Sequence, residues 1–220
     1  MSIYETAYSA MQEISEDKSL CHLYATLARF LEKYPEMAVG LKDGNITPAY
    51  LAKKAAAFKK GRVEHPPSLP ETIPDERIAD ILQHFYSVDA SSIEDAIEHH
   101  MQSMSAENII GHLLESYIAS VAEKEGWIWC SGTTVKHIDF IKPLNNFENW
   151  QTLQIKNRDN SENSSSASVR DGTDIMKWFR TYSRTGKTNW ENFPDTTLKG
   201  KLSEDNFKDY VIQYLKRMKK

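Results

Sequence analysis

The chain has 220 residues, of which 40% are hydrophobic and 26% are charged, and its formal net charge is -4. This length suffices for one sizeable core, and no apolar run approaches the roughly 18 residues that a membrane helix needs. Two cysteines cannot build a disulfide framework or a four-thiolate zinc site, so we expect a protein of the reducing cytoplasm.

Charge is divided unevenly along the chain. Residues 151–220 carry 14 Lys and Arg against 9 Asp and Glu, whereas residues 64–125 carry 13 acidic residues and only two basic ones. The acidic middle excludes a general cationic coat for nucleic acid, but a local cationic surface remains open in the last third. Chance segregation of charge in a globular protein explains the asymmetry equally well.

The first sixty residues have the periodicity of helices. Apolar residues recur every three or four positions over residues 4–31, and Pro35 is expected to end that region. Thr47 followed by Pro48 predicts the beginning of a further helix, because threonine caps a helix and proline is favoured at its first position. Gly61 predicts the end of that helix.

The middle of the chain predicts a connection followed by two helices. Residues 64–74 contain four prolines, which predicts an extended connection. Residues 75–88 and 105–125 have helical periodicity, and Gly126 is expected to end the second of these helices. A capping box is predicted at residues 91–94, where a serine is followed three positions later by a glutamate.

Strands are predicted beyond the middle of the chain. Residues 127–130, 135–141 and 150–156 are short runs of β-branched and aromatic residues. Residues 175–182 predict a helix from the spacing of their apolar side chains, and residues 203–220 predict an amphipathic helix. This order indicates an α+β fold or a small α/β core.

One set of residues suits phosphodiester hydrolysis. Asp139 lies in the second predicted strand, while Gln154 and Lys156 share one face of the third and Ile155 faces a core. A hairpin would bring Asp139 beside Gln154 and Lys156, which combines a carboxylate, an amide oxygen and an ammonium group. Such a group of side chains can bind Mg²⁺, position a water molecule and stabilise charge on a phosphate.

A glutamate of the preceding helix completes this candidate set. Glu115 flanks the apolar stripe of the helix over residues 105–125 and can reach the same site. The candidate catalytic residues are Asp139, Gln154, Lys156 and Glu115, and the candidate metal-binding residues are Asp139, Glu115 and Ile155. By spacing alone, a surface aspartate beside an amphipathic strand is the more common explanation of such a pattern.

The segment after Lys156 is dense in hydrogen-bonding side chains. Asparagine can pair with adenine and arginine with guanine in the major groove, and serine suits phosphate. A serine-rich linker is the alternative explanation of the segment. The candidate DNA-binding residues are Asn157, Arg158, Asn160, Ser161, Glu162, Asn163, Ser164, Ser165 and Arg170.

Several segments of the last half resemble one known protein family. Residues 153–173 and the Ile-Met-Lys-Trp-Phe-Arg that follows at 175–180 closely resemble SinI-type type II restriction endonucleases. Leu-Glu-Ser-Tyr-Ile at 114–118 and Lys-His-Ile-Asp-Phe-Ile at 136–141 fit the same family. The most distinctive part is Asn-Ser-Glu-Asn-Ser-Ser-Ser at 160–166.

The resemblance implies a nuclease fold of the PD-(D/E)xK type, a restriction-endonuclease-like core. In it a central mixed sheet is flanked by helices. Residues 101–220 would form the nuclease core and residues 1–100 a helical region for dimerisation or DNA clamping, all in one compact domain. Asp139 would bind the metal and Lys156 would position the attacking water. Gln154 stands where the wider fold usually has an acid, and Glu115 would supply the missing carboxylate.

The same resemblance implies an activity and partners. It implies a Mg²⁺-dependent homodimer that cuts double-stranded DNA at GGWCC (W is A or T) or a close relative. A cognate DNA methyltransferase would be its functional partner, and no membrane partner is expected. Two alternatives remain: a sequence-specific DNA-binding protein without catalysis on a degenerate nuclease fold, and a helical interaction module.

Overall fold

The computed structural model describes residues 1–41, 43–159 and 175–219. The helices and strands make an α+β structure, which confirms the first of the two classes predicted from the order of elements. Within the described ranges the helices are α1 (Ile3–Gln12), α2 (Lys18–Lys33), α3 (Pro48–Lys60), α4 (Glu76–His84), α5 (Ile93–Ala122) and α6 (Glu204–Met218). The strands are β1 (Ile128–Trp129), β2 (Phe140–Leu144), β3 (Asn149–Arg158) and β4 (Met176–Thr181).

The predicted ends of α3 are confirmed. The side chain of Thr47 accepts a hydrogen bond from the backbone N–H of Tyr50, and Pro48 occupies the first helical position. Gly61 is the C-terminal cap residue. These contacts satisfy backbone groups that the helix itself leaves without partners.

The beginning of α5 differs from the prediction. The predicted capping box is wrong, because the Ser91 hydroxyl donates to Asp89 Oδ1 and Ser92 makes no side-chain cap hydrogen bond. The helix has 30 residues and starts at Ile93, well before the predicted residue 105. Its polar first half gave no amphipathic signal, since its buried residues begin at Ser105.

The helix α4 lies against the exposed half of α5 and buries none of its own residues. Large apolar side chains therefore remain in solvent, among them Ile81, Phe85 and Tyr86, which are 55%, 78% and 65% exposed. No helix in the described part of the chain is both long and apolar enough to span a bilayer.

The four strands form one mixed sheet in the order β1-β2-β3-β4. β1 with β2 and β2 with β3 are antiparallel, whereas β3 with β4 is parallel. Phe140 of β2 lies opposite Leu153 of β3, and Ile155 lies opposite Trp178 of β4. This register places the beginning of β2 beside the middle of β3.

One predicted helix and one predicted strand need correction. Residues 175–182 were expected to be helical, yet Met176–Thr181 forms β4, in which Trp178 packs on Trp190 with ring centroids 4.9 Å apart. Large apolar groups on both faces of this strand imitate helical spacing. The second strand begins at Phe140 rather than at residue 135, because the chain turns at His137 with a φ of 59°.

The two faces of the sheet belong to different cores. Trp129, Phe140 and Ile155 pack with α5 and α6, whereas Ile128 and Ile141 pack with α1, α2 and α3. Neighbouring strand residues alternate between these cores because their side chains point to opposite faces. The sheet is thus held between the N-terminal helices and the α5–α6 layer.

Candidate active site

Asp139 is fixed to β3 at the segment that the sequence singled out. Its backbone N–H donates to the Leu153 carbonyl over 2.9 Å, and its Oδ2 accepts the Ile155 N–H over 2.7 Å. Asp139 itself lies immediately before β2 rather than within it. The structure therefore brings Asp139 to the Gln154–Lys156 segment, the neighbourhood that a hairpin was expected to create.

Glu115 approaches the same point from α5. Its Oε2 accepts a hydrogen bond from Trp129 Nε1 over 2.9 Å. Burial, followed by the negative charge of Asp139, raises the pKa of Glu115 to about 8. The carboxyl group is thus mostly protonated at neutral pH in the absence of a cation.

Burial disfavours the charged form of Asp139 as well. Burial raises the pKa of Asp139 to about 6, although the hydrogen bond from Ile155 and the positive charge of Lys156 both act to lower it. The charge of Lys156 also lowers the pKa of Glu115. Glu115, Asp139 and Lys156 therefore form one electrostatically connected site, in which the exposed Lys156 is a cation that acts on both carboxyl groups.

Gln154, which lies between Leu153 and Ile155 on β3, carries a neutral side-chain oxygen. The residue is 6% exposed, and its buried Oε1 has no hydrogen-bond partner among the described residues. An unsatisfied buried carbonyl oxygen costs about 1–3 kcal/mol. A ligand that accepts lone-pair density would remove this cost.

These residues fit a magnesium ion. Mg²⁺ prefers oxygen ligands, uses one or two carboxylates and completes its shell with water and phosphate oxygens. The two carboxylates and the unsatisfied amide oxygen are ligands of this kind. Across residues 1–41, 43–159 and 175–219, no group of three or more His, Cys, Asp or Glu could hold a metal by itself. Water or substrate oxygens must therefore complete the coordination.

The side chain and the backbone of Ile155 have different surroundings. Its side chain is buried in the core with α5 and α6, as predicted, while its N–H is used by Asp139. The side chain of Ile155 has no metal-binding atom, and the metal-binding role predicted for this residue stays a prediction.

A cleft of about 600 Å³ opens beside Lys156, between residues 106–111 of α5 and the ends of β3 and β4. Asn157, Arg158 and Arg180 also line it. Lys156, Arg158 and Arg180 outnumber Glu107, the acidic residue among the described residues that line the cleft, and this balance favours a polyanion such as a nucleic-acid backbone.

Arg180 is held in place within the cleft. Its Nε donates to Asn157 Oδ1 over 2.9 Å, its guanidinium pairs with Glu204, and Phe207 lies 5.2 Å below it. The Asn157 amide oxygen is therefore already engaged, and Arg158 is the more exposed of the two predicted DNA-binding residues. The remaining predicted DNA-binding residues, Asn160, Ser161, Glu162, Asn163, Ser164, Ser165 and Arg170, lie outside the described residues.

Sequence reasoning missed two residues of this region. Trp129 was assigned to a strand without a role, and Arg180 was placed on a helix. Strand alternation, which places position 180 on the face of position 178, would have revealed Arg180 had β4 been predicted correctly. The sequence carries no signal for the indole contact of Trp129, since it depends on how α5 packs on β1.

The chain is similar in sequence to known type II restriction enzymes. The family model of the SinI restriction endonuclease matches residues 4–217. The type II restriction enzyme SinI of Salmonella infantis is 40% identical over 220 residues, covering 98% of this chain and 95% of the relative. The type II restriction enzyme Eco47I of Escherichia coli is 40% identical over 216 residues, covering 96% of this chain and 93% of the relative.

Proposed function

The chain belongs to the SinI restriction endonuclease family, and from this premise we propose that it hydrolyses double-stranded DNA at a short specific site with Mg²⁺. The predicted family and enzyme class are confirmed by the match over residues 4–217 and by two relatives named type II restriction enzymes. The observation that carries the proposal is the meeting of Asp139, Glu115 and Lys156 at one point beside a cationic cleft.

The carboxylates would hold the cation. Asp139 is fixed by the Ile155 amide and Glu115 by the Trp129 indole, so both oxygens are oriented before metal binds. Gln154 Oε1 would contribute a neutral ligand where the wider fold has an acid. When bound, Mg²⁺ polarises a phosphoryl oxygen and lowers the pKa of a bound water.

Lys156 would act on the water and on the phosphate. It is exposed at the cleft while its charge reaches both carboxylates. An ammonium group there can orient the attacking water and stabilise the negative charge that develops on the phosphate. Arg158 and Arg180 would guide the DNA backbone along the same cleft.

The site that we propose is GGWCC or a close relative, as the resemblance implies. Identity of 40% over nearly the full length of two relatives supports a common architecture of recognition. Arginine suits guanine and an acidic side chain suits the amino group of cytosine, so the composition of the Asn157–Arg170 region is compatible with a site rich in G and C.

A homodimer fits such a site. A sequence with two-fold symmetry presents two equivalent scissile bonds, and each chain offers one pair of carboxylates, Glu115 and Asp139. The exposed apolar face of α4 is a surface that a second copy would cover. We also propose a cytoplasmic enzyme whose functional partner is a cognate DNA methyltransferase.

A catalytically inactive DNA-binding protein is the second candidate, and the observation in its favour is Gln154. A neutral amide lowers the charge available to a cation, and the described residues give the site two carboxylates only. Incubation of unmethylated plasmid with protein and Mg²⁺ separates the two: discrete fragments identify the nuclease, and gel retardation alone identifies the binder.

Lys156→Ala tests the proposal directly. We expect the cleavage rate to fall by about 10²–10³-fold or more, because the water and the phosphate lose an aligned charge. Specific binding measured without metal should remain largely intact. Lys208→Ala, which removes an exposed lysine of α6, is the matched control and should cut at the normal rate. A Lys156→Ala protein that cleaves as fast as the wild type contradicts the assignment.

A further inference from the structure

Trp129 makes a single polar side-chain contact to the candidate metal ligands. The residue is 4% exposed, lies at the end of β1 and donates its indole N–H to Glu115 Oε2 over 2.9 Å. A hydrogen bond of this length fixes the orientation of the carboxylate plane. The indole is also apolar and does not titrate, so it orients Glu115 while keeping water from one side of it.

The backbone of Trp129 is held on both sides by charged groups. Its N–H donates to Glu123 Oε1 over 3.1 Å, and its carbonyl accepts from Arg62 Nη2 over 2.9 Å. Arg62 and Glu123 are paired with each other by two hydrogen bonds of 3.0 Å and 2.7 Å. Both side chains are mostly buried, 16% and 19% exposed, so this pair is better shielded than a surface ion pair.

Arg62 lies just after the N-terminal helices, so its contacts connect that region to the active site. It follows Gly61 at the end of α3. A Cβ atom at Gly61 would lie 2.2 Å from the backbone nitrogen of Gly132, so α3 touches the turn after β1 through backbone alone. The guanidinium also lies 5.3 Å from the centre of the Trp129 ring.

We propose that Trp129 is a positioning residue for the metal ligand Glu115, and that Arg62, which follows α3, and Glu123, at the end of α5, hold its backbone in place. This inference rests on the proposed function, because it assigns Glu115 to a cation. Groups that hydrogen-bond to metal ligands set their orientation and commonly change metal affinity or activity by about 10–100-fold when removed. A tryptophan that served only to fill the core would be replaced by phenylalanine without such a change.

The test compares two tryptophans that each donate to a carboxylate. Trp129→Phe removes the N–H and keeps an aromatic ring. Trp127→Phe is the matched control, because Trp127 Nε1 donates over 2.8 Å to Asp195, a residue outside the site. Mg²⁺ affinity of the full chain is measured by calorimetry without DNA, and kcat, KM and Tm are measured alongside.

We expect Trp129→Phe to weaken Mg²⁺ binding by about 10–100-fold and to lower kcat while KM for DNA changes little. Trp127→Phe should keep the Mg²⁺ affinity and kcat within about twofold and should lower Tm, since it loses only a hydrogen bond to a structural carboxylate. Wild-type Mg²⁺ affinity in Trp129→Phe, or an equal loss in both variants, overturns the inference.

Two further variants keep the result interpretable. If Trp129→Phe does not unfold cooperatively, Arg62→Lys decides, because it keeps the charge but cannot hold Glu123 and the Trp129 carbonyl together; unchanged Mg²⁺ affinity there overturns the inference. Asp139→Asn distinguishes a failure of the positioning role of Trp129 from a failure of the proposed metal site. If it loses Mg²⁺ binding while Trp129→Phe retains it, only the positioning role fails. If Asp139→Asn binds Mg²⁺ like the wild type, the proposed metal site fails with it.

Discussion

Two carboxylate sites lie at the two tryptophans that flank Ile128, and they differ in how their charge is compensated. Asp195 accepts from Trp127 Nε1 and lies 2.7 Å from Lys142 Nζ. Although burial alone would raise the pKa of Asp195, hydrogen bonds from Lys142, Thr197 and Trp127 hold that pKa well below its usual range. The negative charge of Asp195 is therefore compensated by groups of the protein itself.

The charge of the second carboxyl group, that of Glu115, is not compensated in the same way. Glu115 accepts from Trp129, but its neighbour is a second acid, Asp139, and burial with this like charge raises the pKa of Glu115 to about 8. The same kind of indole donor therefore serves two purposes. At Asp195 it joins a finished ion pair that supports the fold, and at Glu115 it orients a carboxyl group whose charge is stabilised only when a cation arrives.

The largest expected effect is that of Asp139→Asn on catalysis. We expect cleavage with Mg²⁺ to fall by about 10²–10³-fold or more, since a charged ligand is lost, while the metal-free protein keeps or gains stability because a buried like charge is removed. Cleavage assays and urea unfolding in EDTA measure the two effects. Asp209→Asn, at an exposed position of α6, serves as control. Substantial cleavage by Asp139→Asn would remove Asp139 from the mechanism.

Asp195→Asn should lower the stability of the protein and leave the Mg²⁺ dependence of cleavage unchanged. It leaves the largely buried ammonium group of Lys142 without its counter-charge, so we expect a loss of about 3 kcal/mol in the free energy of unfolding. The Mg²⁺ dependence of cleavage by the remaining folded protein should not change. Urea unfolding and a Mg²⁺ titration of activity measure this, and a shifted Mg²⁺ requirement would show that the two sites are not separate.

The pH dependence of stability should also have opposite signs at the two sites. The folded-state pKa of Glu115 is raised to about 8, so metal-free protein loses stability as pH rises from about 4.5 to 8, by at most about 1.4 kcal/mol per pH unit for one proton. The pKa of Asp195 is lowered, so its contribution is present above its unfolded value and lost as pH falls. Urea unfolding in EDTA should give a flatter profile between pH 5 and 8 for Glu115→Gln than for the wild type. Parallel profiles would contradict the raised pKa.

The parts of the site set by local geometry could be predicted from the sequence. An antiparallel hairpin brings Asp139 to Gln154 and Lys156, and helical phase places Glu115 beside the apolar stripe of α5. Proline and glycine marked the ends of α3, because their backbone preferences act within one or two residues.

The parts that depend on packing could not be predicted. Trp178 satisfies helical and strand spacing equally well, and only its contacts with Trp190 and the pairing with β3 select the strand. The partner of the Trp129 indole is 14 positions away and is decided by the angle at which α5 crosses β1. The polar first half of α5 is helical although no apolar stripe indicated it.

The most direct test of the account counts the protons released when Mg²⁺ binds. Calorimetric titrations at pH 7 in buffers of different ionisation enthalpy give this number without DNA or turnover. Because Glu115 has a pKa of about 8 and Asp139 one of about 6, we predict the release of about one proton at pH 7 and progressively fewer above pH 8. Saturable Mg²⁺ binding that releases no proton at pH 7, or no binding at all, would contradict a cation held between these two carboxylates.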